Sequence, residues 1–321
     1  GDIQEHDITA SHAAPLTYIQ LDQKISGSFL GIQGKRVIKF KANSLAGDLI
    51  NLAPNHEFRE PTAILQMDNF TLVVDRGHQC IVQIDSLGNT TRTHSGTCAV
   101  AVGRTADGSF QEVKYKNPFD LASQNKDQTH LYVTDDGLLR LIDQENETVT
   151  TLYRAEWLLG RISFRDHQIL IGGSQGILVL NGGEYTKQFV LQLNYTTTRH
   201  THFGAKIIKL PYIMKSFAII SQNMLLVSRH QNDYSRDTSR LILIEMDTGV
   251  SSIVCGNNSQ HTFCQGKLLS PGFILLANDT LYITAAPKRS TGFGATSSGT
   301  TTDTHNSISF QRMAIKGEFS I

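Results

Sequence analysis

No apolar run in this chain reaches the roughly 18–20 residues that a membrane-spanning helix needs, and no stretch of a dozen residues holds a helical period. The first absence removes a helical membrane span; the second leaves strands as the main element. Charge of one sign is missing as well. Lys plus Arg and Asp plus Glu number 29 each, so no global field draws the chain to nucleic acid or to an anionic membrane. Cysteine is sparse, with four in 321 residues and none in Cys-x-x-Cys spacing, which disfavours zinc. The Gly/Ser/Thr-rich stretch from Thr291 to His305 lacks the Gly-Lys-Ser/Thr ending of a phosphate-binding loop, and its composition suits a mobile or O-glycosylated loop.

What is present is repetition. From Pro61 the chain reads an apolar strand, a turn at Met67-Asp68-Asn69, the strand Phe70-Thr71-Leu72-Val73-Val74-Asp75, the link Arg76-Gly77-His78-Gln79, and then Cys80-Ile81-Val82-Gln83-Ile84-Asp85. From Pro118 the same order returns. Phe119-Asp120-Leu121-Ala122 leads to Leu131-Tyr132-Val133-Thr134-Asp135, then Asp136-Gly137, then Leu138-Leu139-Arg140-Leu141-Ile142-Asp143. Self-similarity of short strands at a period of roughly 55 residues predicts a radially repeated sheet.

A repeat architecture also explains how 321 residues escape the usual limit on a single core, since each unit packs only on its neighbours. The expected fold is all-β: a six-bladed β-propeller of four-stranded antiparallel blades, with seven blades the lesser option, spanning 1–321 as one domain. The strands fall at Leu16–Leu21, Gly27–Ile32, Arg36–Lys41 and Asp48–Leu52 in the first blade. The second and third blades are the repeated pair, closed by Asn89–Thr97 and Thr148–Tyr153. Leu159–Arg165, Gln168–Gly172, Gly176–Leu180 and Thr186–Leu193 form the fourth. The fifth is Phe217–Ser221, Met224–Arg229, Arg240–Met246 and Val250–Cys255. The sixth holds Gly272–Ala277, Thr280–Ala285 and Ser307–Ala314. Its fourth strand comes either from Gly317–Ile321 or from the N-terminal stretch around Asp7–Ser11, and the latter would close the ring by pairing N- and C-terminal strands.

The second and third blades and the segment between them resemble the NHL-repeat family of β-propellers. The carriers are Ala101-Val102-Gly103-Arg104-Thr105-Ala106-Asp107-Gly108-Ser109, similar to that family's Gly-x-x-x-Asp-Gly linker, and Val113-Lys114-Tyr115-Lys116-Asn117-Pro118-Phe119, similar to its Asn-Pro strand start. A fainter echo runs through Val254-Cys255-Gly256 and Gln265-Gly266-Lys267-Leu268-Leu269-Ser270-Pro271. The resemblance implies recognition of proteins, nucleic acid or glycans, and the balanced charge disfavours nucleic acid.

The cysteines fall into two near pairs. Three connectivities are possible, and the local one, Cys80–Cys98 with Cys255–Cys264, is expected; such pairing suits an oxidising compartment. Six Asn-x-Ser/Thr sequons, at Asn69, Asn89, Asn146, Asn194, Asn257 and Asn278, exceed the two or three that composition would place by chance (roughly, from about one Ser/Thr in six residues). Together with a chain that starts at Gly1, they predict a secreted, extracellular glycoprotein with N-linked glycans and no other cofactor.

In a four-stranded meander, first-to-second and third-to-fourth turns share one face of the disc, and the remaining connections share the other. The first class is short by sequence; the long insertions, 97–116, 194–216, 230–239, 256–270 and 286–306, are assigned to the second. The long-loop face is therefore the expected binding surface, carried by Arg199, His200, His202, Arg229, Tyr234, Arg236, Lys288 and Arg289, with Arg240 and Phe293 beside them. Such basic and aromatic groups suit an acidic protein segment or a sulfated glycan. His200 and His202 are also weak metal candidates, since i and i+2 in an extended chain face one side, with His230 or His261 as a third ligand. Gly172-Gly173-Ser174-Gln175-Gly176 matches the Gly-x-Ser-x-Gly text of a nucleophile elbow, but a strand follows where that chemistry needs a helix, so a hairpin link is expected.

The functional expectation is a binding or assembly module for an extracellular protein or glycan, self-assembly included, and not an enzyme. The alternative is a lactonase- or amidating-lyase-like propeller enzyme with a metal in the central channel.

Overall fold

The computed structural model describes residues 4–9, 16–41, 49–86, 91–98, 104–124, 128–166, 168–181, 204–210, 213–230, 241–255, 271–277, 280–285 and 307–314. All its regular elements are strands, arranged in six antiparallel sheets. The first sheet is β2 (Leu16–Leu21), β3 (Ser28–Gln33), β4 (Arg36–Lys41) and β5 (Ile50–Asn51). The second is β6 (Pro61–Gln66), β7 (Phe70–Asp75), β8 (Cys80–Asp85) and β9 (Thr91–Ser95). The third holds β11 (Pro118–Ser123), β12 (His130–Asp135), β13 (Leu138–Asp143) and β14 (Thr148–Arg154), plus the short β10 (Gly108–Ser109) at its outer edge. The fourth is β15 (Leu159–Arg165), β16 (Gln168–Gly173), β17 (Gly176–Asn181) and β18 (Gly204–Lys209), and the fifth is β19 (Ile213–Ser221), β20 (Met224–His230), β21 (Leu241–Glu245) and β22 (Ser251–Cys255). The sixth runs β23 (Pro271–Ala277), β24 (Thr280–Ala285), β25 (Ser307–Ala314), with β1 (Gln4–Thr9) paired antiparallel to β25.

The first strand of each sheet packs on the first strands of the sheets before and after it, β2 on β6, β6 on β11, and so round to β23 on β2. The molecule is an all-β propeller. Its cores lie between sheets: Leu72, Val74, Ile81, Val113 and Val133 are among those filling the region from first to third, Leu139, Leu141, Ile169 and Leu178 the seam from third to fourth, and Phe29, Phe40 and Leu16 the seam next to β23 and β24. At about 1.5–3 kcal/mol for each large aliphatic side chain fully buried, these seams supply the main adhesion between sheets.

Three expectations change. The third sheet carries a fifth strand, β10, because the segment before β11 folds back on β14. The N-terminal strand is Gln4–Thr9 and not Asp7–Ser11. The largest change is in the fourth sheet, whose outer strand is Gly204–Lys209 and not Thr186–Leu193. Ile207 pairs with Leu178 and Ile208 with Ile177, and Lys206 Nζ donates to the Met246 carbonyl at 2.8 Å in the next sheet. An alternating apolar pattern cannot choose between two segments offered to the same edge; pairing and this cross-sheet bond do.

In the second and third sheets the repeated sequence becomes a repeated bond set. Asp75, fully buried at the end of β7, accepts the N–H groups of Arg59 (3.0 Å) and Glu60 (2.9 Å), the two residues before Pro61. Asp135, fully buried at the end of β12, accepts those of Lys116 (2.9 Å) and Asn117 (2.7 Å), the two before Pro118. Each carboxylate thus nails the incoming connection to the strand it must pass. The following link is held too: Arg76, Asp136 and Ser174 donate their N–H groups to the carbonyls of Glu60, Asn117 and Leu158. Gly173 and Gly176 fit the last of these links because a Cβ at Gly173 would lie 2.3 Å from the Leu158 carbonyl and one at Gly176 would lie 2.1 Å from the Ile208 carbonyl, where φ is +144°. The Gly-x-Ser-x-Gly text is therefore a hairpin link.

Cys80 and Cys98 form a disulfide across 18 residues, as expected; Cys255–Cys264 lies outside the described residues. Replacing Cys80 by Ser is expected to lower stability by about 3 kcal/mol through the larger entropy of the unfolded loop, and Gly176→Ala by at least about 2 kcal/mol through the backbone clash, both measured by denaturant unfolding.

Candidate functional site

Every innermost strand has a bulge near its start, where its pairing with the second strand shifts register. One residue is skipped in β2 (Thr17), β6 (Thr62), β11 (Phe119) and β19 (position 215). Two are skipped in β15 (Gly160, Arg161) and in β23 (Gly272, Phe273). A bulge turns its residue out of the ladder, and the bulges stand near the start of each innermost strand, around the axis. Hydroxyls of second strands bridge several bulges. Thr134 Oγ1 accepts from Asp120 N–H (3.1 Å) and donates to the Gly160 carbonyl (2.8 Å). Ser228 Oγ accepts from Ser216 N–H (3.1 Å) and donates to the Gly272 carbonyl (2.7 Å). Thr284 Oγ1 accepts from Phe273 N–H at 2.8 Å. The residues just past the bulges of alternate sheets, Tyr18, Asp120 and Ser216, then reach the next sheet. Tyr18 Oη donates to the Ile64 carbonyl (2.9 Å), Asp120 Oδ2 accepts from Ile162 N–H (2.7 Å), and Ser216 Oγ accepts from Ile274 N–H (3.2 Å).

Arg161 stands at the centre of this ring. Its Nη1 donates to the Thr62 carbonyl at 3.1 Å, across the axis in the second sheet, and to Asp120 Oδ1 at 3.0 Å in the third. Its guanidinium carbon lies 4.7 Å from the Tyr18 ring centroid, 5.0 Å from Phe119 and 4.6 Å from Phe273. Side chains from the first, third and sixth sheets therefore cage a cation from the fourth. Arg76, on the same mouth, lies 5.7 Å from the Phe119 ring centroid and pairs with Glu60. Burial pushes the Asp120 carboxyl up, and Arg161 with the Ile162 N–H pulls it back in part.

A second buried arginine organises the connection between the second and third sheets. Arg140, fully buried on β13, donates through Nη1 to Asp135 Oδ2 (2.9 Å) and the Lys114 carbonyl (2.9 Å), and through Nη2 to the Ala106 carbonyl (2.6 Å) and Asp107 Oδ1 (3.0 Å). Asp107 in turn accepts from Thr151 N–H and Oγ1. The Asp-Gly of the linker-like segment is thus a strut between connection and sheet. Around it His94 bonds Gln144 at 3.1 Å and packs on Phe110; burial pushes its imidazole below the usual range, as it does for His56.

The residues singled out by sequence are placed only in part. Arg199, His200, His202, Tyr234, Arg236, Lys288 and Arg289 lie outside the described residues, and of Arg229 only its backbone in β20 is described. The strands around them define one connection. β17 ends and β18 begins at the short-turn end of the fourth sheet, so residues 182–203 form a third-to-fourth connection. His230 ends β20 at the opposite end. The residues 42–49 between β4 and β5 likewise make the first class of turns less uniformly short. Asn69 and Asn146 are exposed in turns; Asn89, Asn194, Asn257 and Asn278 lie outside the described residues. Among the described residues no group of three His, Cys, Asp or Glu side chains could hold a metal ion, and the axis at the bulge level carries a guanidinium. Sequence reasoning missed Arg161, Asp120, Tyr18 and Arg140. A charge inside an otherwise apolar strand, as in Leu138-Leu139-Arg140-Leu141, was the available signal for the last.

No family model and no curated protein sequence matches the chain. Solved structures do. The chain is similar to the WD40 repeats of RRP9 at 11% identity and TM-score 0.54, covering 89% of this chain and 79% of that one. It is similar to U3-55K at 11% identity and TM-score 0.53, covering 89% and 78%. The extracellular domain of a putative one-component system from B. thetaiotaomicron matches at 11% identity and TM-score 0.51, over 87% of this chain and 32% of that one. At such identity the likeness shows the β-propeller fold. No helix among the described residues is long and apolar enough to cross a membrane.

Two measurements follow. Arg161→Met leaves Asp120 buried without its cation and is expected to cost about 3–5 kcal/mol in chemical denaturation. For His94 and His56, whose folded values lie below the unfolded one, the contribution is complete above about pH 6.5 and is lost as pH falls through the depressed values. Stability is therefore expected to drop on acidification towards about pH 5, and His94→Gln to flatten that drop.

Proposed function

We propose that this chain is a secreted glycoprotein that works as a protein-binding or assembly module through the long-loop face of a closed, six-bladed propeller. The β1–β25 pairing supports ring closure, since it joins the two ends of the chain in one sheet, and the cyclic packing of the first strands supports the count of six. The NHL-like reading rests on the Asp107-Gly108 strut and the Asn117-Pro118 start, both of which carry bonds that order the second and third sheets.

The observation that carries the functional reading is the separation of the two ends of the sheets. Residues 96–117, 231–240, 256–270 and 286–306 connect strands at one end, while residues 42–49 and 182–203 and the connections that carry the sequons at Asn69, Asn89, Asn146, Asn194 and Asn278 belong to the other. A glycan excludes close approach, so the first end is the docking surface for an extracellular protein or glycan. The Cys80–Cys98 disulfide at the foot of the 96–117 connection suits an oxidising compartment.

The test has two arms. Expression in a secretory cell line should give a mass that falls by several N-glycans on enzymatic release, with Asn69 and Asn146 among the occupied sites; an unmodified secreted chain sinks the compartment reading. Capture of extracellular partners should then be abolished when residues 231–240 and 286–306 are both replaced by two-residue turns, while replacing 182–203 leaves it intact. Capture that survives the first replacement removes the assignment of the face.

A further inference from the structure

Arg161 uses half of its guanidinium. Nη1 makes both of the bonds described for it, whereas Nε is enclosed without a partner among the described residues and no described residue bonds Nη2. The side chain keeps 10% of its surface exposed, and Nη2 is the outer donor without a described partner. Inner strands run from the long-loop end, because the connections that enter them lie there, and the bulges come within the first residues of each strand. The ring of bulge residues is therefore the throat of the channel on the proposed docking face.

The throat has a definite chemistry. Two guanidinium groups, Arg161 and Arg76, address one ring, Phe119. Three rings keep water from the Arg161 head, where a charge-assisted hydrogen bond is worth more than on an open surface. Thr17, an exposed bulge residue, and the half-buried Thr62 supply small walls. Asp120, the carboxylate that pairs with Arg161, already accepts the Ile162 N–H, and Glu60 is drawn to Arg76 at the rim.

We propose that this axial throat is a carboxylate-binding subsite, with Arg161 Nη2 as its donor, the Phe119, Phe273 and Tyr18 rings as its floor, and an acidic side chain of a protein partner as the natural source of the carboxylate. The source rests on the docking-face reading above; the subsite itself does not. A carboxylate entering along the axis meets the open edge of Arg161 and places its aliphatic stem against Phe119 and Phe273. A neutral amide of the same shape gains no charge-assisted bond and is rejected.

The full-length protein is titrated with sodium acetate, with blocked glutamate (N-acetyl-Glu-amide) and with blocked glutamine at constant ionic strength, following the thermal midpoint and ligand-observed NMR. Saturable binding at about millimolar concentration is expected for the carboxylates and none for glutamine. Arg161→Lys, which keeps the charge and loses the fork, and Thr17→Trp, which fills the throat from an exposed position, should each weaken binding about tenfold. If Arg161→Lys does not fold, Thr17→Trp decides. Binding of blocked glutamate alone, or more tightly than acetate, supports a partner side chain as the source; binding of both alike supports the subsite with a free small carboxylate as its ligand. Equal response to glutamine, or binding unchanged in Thr17→Trp, overturns the proposal. Because no partner is used, failure here leaves the loop-replacement result standing, and failure there leaves this one standing.

Discussion

The Arg161 guanidinium is the interaction on which the centre of the molecule depends. Sheets of a propeller touch their neighbours through apolar side chains, and that contact is non-directional; it presses sheets together without fixing how far each first strand slides along the axis. Arg161 supplies a fixed length. It bonds the Thr62 carbonyl two sheets away, pairs with Asp120 in the sheet before it, and lies under rings from the first and last sheets. A cation in that position is costly to desolvate, and the structure offsets the cost with one buried carboxylate, one carbonyl and three π-faces. The bulges make this possible, since they take Arg161, Phe119 and Phe273 out of the ladder near the starts of their strands.

Around that hub the sheets are joined in two ways. Where Tyr18, Asp120 and Ser216 cross to the next sheet, polar bonds set the register between first strands, and the apolar cores outside them supply adhesion. Farther out, in the second and third sheets, Asp75 and Asp135 hold the connections at the long-loop end. Both carboxylates are fully buried with several donors each, which is the condition under which a buried charge stabilises rather than strains a fold. Arg140 extends the Asp135 network to Asp107, so a connection that would be free in a simpler sheet is bolted to β13 and β14.

Much of this was legible in the sequence, and the part that was not has a physical reason. The strands Leu16–Leu21, Arg36–Lys41 and Leu159–Arg165 coincide with their expected bounds, because alternation or a continuous apolar run between turn residues is a local signal. The aspartates Asp75 and Asp135 stand at corresponding places in the repeated sequence, and their role as connection anchors emerges only from the bonds they accept. The outer strand at Gly204–Lys209 was not visible, since an outer strand is chosen by the partner edge and by distant groups such as the Met246 carbonyl. Arg161 was hidden for the same cause. Within Leu159-Gly160-Arg161-Ile162 it reads as one polar residue on a half-buried strand; its function comes from Thr62, Tyr18 and Phe273, which lie 99, 143 and 112 positions away in sequence by their numbers.

The displaced strand also changes what the two ends of the propeller can do. With β18 at residues 204–209, the connection from β17 starts and ends at the same end of the sheets as the turns at Asn69 and Asn146. The long-loop end then keeps four extended connections, the Asp75 and Asp135 anchors and the mouth of the throat, while the 182–203 connection and those that carry five of the six sequons belong to the other. Rigid anchoring at one end matters for recognition, because a loop that is already held loses less conformational entropy on binding. The bonds from Arg140 and Asp135 do that for residues 106–117. A surface that sets one bolted connection around a caged cation offers a fixed polar anchor whose order is already in place before a partner arrives.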